Sequence, residues 1–147
     1  MSFPGLFNKH KIKSSNFPKD LVYKDISIQE KTFTIVLMED FIYYDSKLGV
    51  YKVPKGFDCD LASIPQGFQW LFPKVGIYNA AAVLHDYGYC VQRYPRHEID
   101  ELFLRAMEDC GVSYIRRYTI YNAVRMFGWI RWNAVKEKEL IKYRNLK

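Results

Sequence analysis

The chain has 147 residues, 49% of them hydrophobic and 17% aromatic, which suits one ordinary domain with a buried core. Its net charge of +6 is uneven: residues 1–24 carry +4, residues 25–111 carry −5 and residues 112–147 carry +7. Three cysteines with no Cys-x-x-Cys spacing argue against a disulfide framework or a zinc ribbon. No stretch reads as a transmembrane helix or a signal peptide, so folding in the cytoplasm is expected.

Residues 1–20 are polar and basic, with Pro4, Gly5, Ser14, Ser15 and Pro18, and read as a flexible basic arm before a single α+β domain over 21–147. From Lys31 to Met38 the chain is rich in β-branched residues and reads as a strand. Phe41 to Tyr44 reads as a second strand, Asp45 to Gly49 as a turn, and Val50 to Val53 as a third strand stopped by Pro54. Together they predict a small antiparallel β-meander over about 31–53. Pro54 to Pro73 is punctuated by Pro and Gly and reads as an ordered loop holding Asp58, Asp60 and Ser63.

Helices follow. The alanines after Asn79 predict a helix from Gly76 to about Gln92. Pro95 opens the next, and Ile99, Leu102, Phe103, Ala106, Met107 and Cys110 recur at helical spacing until Gly111. A helix hairpin over about 76–110 is therefore expected. A long basic helix follows over about 113–138, with Ser113 as its cap.

The candidate chemistry lies between Asp58 and Asp100, centred on His85 and Asp86. An antiparallel hairpin brings Asp100 within reach of His85, and a carboxylate behind a histidine fixes its tautomer and raises its basicity. Asp58 and Asp60, two apart in a loop, are oxygen ligands of the kind a hard cation takes, and Asp86 is a third. Ser63, Tyr89 and His97 are further candidates for the pocket wall. Beside this stands an architectural reading. Asp60 is then a helix cap, Asp58 a turn residue, Asp86 the partner of Arg117 or Arg125, and Asp100 a stabiliser of its helix start, with His85 a satisfied core histidine. Arg116, Arg117, Arg125 and Arg131 interleave with aromatics on the third helix, a pattern suited to nucleic acid or an acidic partner, and equally to a helix with one core face. No Gly-rich phosphate loop, Cys/His zinc set or serine nucleophile elbow is present.

Asp60 to Pro65 (Asp-Leu-Ala-Ser-Ile-Pro), His85 to Tyr89 (His-Asp-Tyr-Gly-Tyr), Asp100 to Met107, Tyr121 to Gly128 and Trp132 occur in that order. Over about residues 50–132 the chain resembles an uncharacterised family of small phage and prophage proteins, a domain of unknown function. The resemblance implies a tailed-phage origin, synthesis in the host cytoplasm, assembly into a virion or tail, and other phage structural proteins as partners. The His-Asp-x-x-Tyr helix is also similar to that of secreted phospholipases A2, especially the compact bacterial kind. That similarity implies a hydrolase of envelope material. His85 would be the base that activates water, Asp100 its orienting group and Asp86 a ligand for Ca2+ or another divalent cation. The Gly-rich calcium loop and the disulfides of those enzymes are missing, so Asp58 or Asp60 would replace the loop's ligands.

Overall fold

The computed structural model describes residues 7–26, 34–60 and 79–146, with the side chains of Cys59 and Asp60 outside the description. The α+β class, with strands first and helices after, is as the sequence predicts. In chain order the described elements are β1 (Phe7–His10), β2 (Leu21–Asp25), β3 (Thr34–Leu37), β4 (Phe41–Asp45), β5 (Gly49–Val53) and β6 (Asp58–Asp60). The helices are α1 (Asn79–Val91), α2 (Arg96–Asp109), α3 (Tyr114–Ala134) and α4 (Glu137–Arg144).

The expected meander is in fact two sheets. β1, β2, β3 and β6 form an antiparallel sheet in that order, and β4 pairs with β5 alone. β3 takes β2 on one side, with Tyr23 opposite Leu37, and β6 on the other, with Val36 opposite Asp58. Strand texture marks which residues extend, but pairing is set by which faces must be buried. Ile35 and Leu37 alternate inward at 1% exposure each, as do Phe41 and Tyr43. Within the basic N-terminal segment, β1 forms a sheet edge, and Phe17 joins the core against Phe41 and Tyr43.

The β4–β5 turn is tied to the helices. Asp45 accepts from the backbone N–H groups of Lys47 and Leu48 at 3.1 and 2.8 Å, and Gly49 takes a φ of +76°. Arg105 of α2 grips the same carboxylate with two nitrogens, at 2.7 and 2.9 Å.

α1 and α2 form the expected hairpin. Their approach is close because position 88 is glycine: a Cβ there would lie 2.6 Å from Ile99 Cγ2 and 2.9 Å from the Tyr51 hydroxyl. The long third helix ends sooner than predicted. Val135 is extended (φ −68°, ψ 120°), and the chain restarts as α4 with Glu137 and Glu139 in its first turn, where the helix dipole favours acids. The break lets Tyr143 bury its ring against Phe57 and lets Arg144 donate to the carbonyls of Val91 and Gln92 at the C-terminal end of α1.

Candidate functional site at the Asp100 network

α2 carries Asp100 on its inner face, one turn beyond Arg96, and its side chain is fully buried. A carboxylate without water must be paired to remain charged. Here four donors supply that pairing. Oδ1 accepts from His85 Nε2 at 2.8 Å and from the Tyr89 hydroxyl at 2.7 Å, both on α1. Oδ2 accepts from Arg96 at 3.2 Å, on α2 itself, and from Arg125 at 2.5 Å, on α3. Burial pushes the Asp100 carboxyl upward, but the hydrogen bonds from His85, Tyr89 and Arg125 outweigh it, so the group sits below the usual carboxylate range. The Tyr89 phenol moves the other way, held protonated by burial and by the neighbouring negative charge.

His85 is the network's outer member, with 14% of its side chain exposed. Its ring lies between Tyr89, at 4.3 Å between centroids, and Phe103, at 4.5 Å. A carboxylate can only accept, so Nε2 donates to Asp100, and in the neutral imidazole the lone pair then falls on Nδ1. Arg96 reaches past Asp100 to the carbonyls of Val124 and Arg125, at 3.2 and 3.3 Å, and so grips the backbone of α3. Tyr89 also packs edge-on against Trp132. Gly128 faces this cluster, and a Cβ there would collide with the Tyr89 hydroxyl and stand 3.1 Å from Arg96.

Asp86 points elsewhere, since neighbours on a helix diverge by about 100°. It lines a cleft of about 510 Å³ between α1, β6 and the α3–α4 corner, together with Asp58 and Glu139. The same cleft holds three cations: Arg131, 3.9 Å from Asp86; Lys142, 3.2 Å from Asp58; and Lys138. Asp58 also accepts from the Tyr143 hydroxyl at 2.8 Å. Among the described residues no group of three or more His, Cys, Asp or Glu is placed to hold a metal ion. Carboxylates matched by cations in this way do not fit a divalent ion. Cys90 lines the cleft as a protonated thiol, its pKa pushed up to about 12 by burial.

The structure thus divides the residues that the sequence grouped. His85, Tyr89 and Asp100 meet; Asp86 and Asp58 share a different cleft. Asp60 lies in β6 and its side chain is not described; Ser63 lies outside the described residues. His97 is exposed on the first turn of α2. Arg125 serves Asp100, Arg117 reaches the Val112 carbonyl and Glu108, Arg131 lies by Asp86 and Cys90, and Arg116 is exposed. The missed member is Arg96. Its spacing of four residues from Asp100 on one helix was a readable signal. Gly128 left a fainter one, a glycine inside a long helix.

Residues 35–124 match the model of a family described as protein of unknown function (DUF1353), and the chain belongs to that family. No curated protein and no solved structure matches it.

Proposed function

We propose that this DUF1353 chain is a non-catalytic component of a phage particle, in which the Asp100 network locks α1, α2 and α3 into one block and holds α3 out as a contact surface. The phage setting rests on the motif resemblance. The structural part rests on one observation: Asp100 has no exposure, and four donors from three helices take both its oxygens. A carboxylate that orients a catalytic base needs to reach only that base. This one also binds two arginines, one of which grips α3 by its backbone. A buried carboxylate with both oxygens paired in this way fixes one packing of its helices. Quantitative mass spectrometry of purified particles tests the reading. A fixed copy number per particle is expected; absence from particles made by cells that express the chain removes it.

A second reading, hydrolysis of envelope lipid, is favoured by the His85 geometry. With Nε2 bound to Asp100, Nδ1 has the lone pair to take a proton from water, and the buried carboxylate would stabilise the imidazolium formed. Release of fatty acid from phospholipid vesicles, abolished in His85→Ala, would establish this reading and displace the first. No release by the wild-type chain, with or without Ca2+, sinks it.

A further inference from the structure

α3 is 21 residues long, yet among its described residues only Ile120 is buried. A helix on the surface of a soluble fold normally turns charge outward. This one does not. Its sequence holds no acidic residue. Three of its four arginines are engaged by the protein itself: Arg125 with Asp100, Arg117 with Glu108 and Arg131 beside Asp86. The outward half therefore shows Ile115, Tyr118, Met126, Trp129 and Ile130 at 79, 37, 65, 53 and 53% exposure, with Arg116 the one charge among them.

We infer that this face is covered by a second copy of the same chain, paired antiparallel across a two-fold axis. The inference rests on the proposed role of α3 as a contact surface and names its occupant. Charge is the first argument. A nucleic acid or an anionic bilayer would find Arg116 alone unengaged on this face, with Arg125 and Arg131 drawn to Asp100 and Asp86; an identical face is a largely apolar match. Area is the second. Weighted by their exposures, the five residues offer roughly 600 Å² per chain, so a pair that covers them fully would remove roughly 1,200 Å², the lower bound of stable interfaces. Shape is the third. Thr119, Asn122 and Ala123 put small side chains at the middle of the stripe, with Ile115 at one end and Trp129 and Ile130 at the other. Two such helices cross closely at their centres, and an antiparallel pair sets each Ile115 against the bulky end of its partner. A two-fold contact is also the commonest closed form for identical chains.

Sedimentation of the full chain between 1 and 100 μM tests the pairing. A dimer is expected, with Met126→Glu shifted to monomer by at least tenfold in dissociation constant while its helical circular dichroism is unchanged. Orientation is read by oxidative cross-linking in a Cys59→Ser background. Asn122→Cys, near the axis, should form a covalent dimer; Ile115→Cys, about 22 Å from its mate in an antiparallel pair, should not. A monomer at 100 μM overturns the inference, as does efficient cross-linking at position 115. So does co-sedimentation with phosphatidylglycerol vesicles that Met126→Glu abolishes, which would assign the face to a membrane. A monomer found at fixed copy number in particles would sink the pairing and leave the structural role standing. A dimer absent from particles would do the reverse.

Discussion

Tyr89 and Gly128 fix the distance between α1 and α3: the Tyr89 hydroxyl donates to Asp100 from a position that any Cβ at residue 128 would invade. The contact gives a substitution whose sign is informative. In an exposed helix interior, glycine to alanine stabilises by about 1 kcal/mol through helix propensity. At position 128 the added methyl must instead push α3 away from Tyr89 and Arg96, and overpacking of this kind costs roughly 1–3 kcal/mol. Gly128→Ala should therefore lower the urea midpoint with no change in slope. A raised midpoint would mean that α3 is not held where the Asp100 network places it.

Asp100 itself should govern part of the acid stability. Its carboxyl lies below its ordinary range in the folded chain, so the stabilisation is fully present above the unfolded value, near pH 4, and is lost as pH falls through the lower folded value. Asp100→Asn removes a buried charge and leaves Arg96 and Arg125 without it, which should cost roughly 3–5 kcal/mol at neutral pH. Below pH 4 the variant should lose less with further acid than the wild type. Asp45, depressed in the same direction by Arg105, remains in both chains and sets the shared slope. Urea midpoints measured from pH 2 to 7 decide the matter; parallel curves would show that folding does not lower the Asp100 carboxyl.

How much of this could be read from the sequence depends on the range of each interaction. The pairing of His85 with Asp100 was legible because a short hairpin brings the two residues together. The ends of α2 were legible in Pro95 and Gly111, which mark their own positions. Arg125 was visible as a cation, but its partner was not, since the choice between Asp86 and Asp100 depends on the angle at which α3 crosses the hairpin. The two-sheet division was hidden for a similar reason. Nothing local tells β3 to prefer β2 and β6 over its neighbour β4. Tyr143 shows the same limit, because the hydroxyl that meets Asp58 lies 85 residues away along the chain.

Cys90 and Cys110 should be inert in the folded chain. Burial pushes both thiols up to about 12, so almost no thiolate exists at neutral pH. In a Cys59→Ser background, a disulfide reagent at pH 8 should label Cys90 no faster than the chain unfolds, the half-buried Cys110 only slowly, and both at once in denaturant. Rapid labelling of Cys90 in the native chain would mean that the cleft beside it opens far more than the packing of α4 on α1 allows.

The cleft also carries a prediction about cations. Asp58, Asp86 and Glu139 face Arg131, Lys138 and Lys142, so the lining is neutral overall, and a divalent ion would have to displace ammonium or guanidinium groups that cannot leave the chain. Ligands that bind the folded state alone stabilise it by about 2.7 kcal/mol at a hundredfold excess over their dissociation constant. A site of 0.1 mM affinity would thus raise the melting temperature by several degrees in 10 mM Ca2+, and the wild-type chain should show a change of at most about one degree. Replacing the two cations nearest the carboxylates, in an Arg131→Gln, Lys142→Gln chain, removes the competition at Asp86 and Asp58 together. That variant should show a larger Ca2+-dependent rise than the wild type, since Asp58, Asp86 and Glu139 would then share the cleft with Lys138 alone. A rise of several degrees in the wild type would contradict the charge matching and return Asp86 and Asp58 to the role of cation ligands.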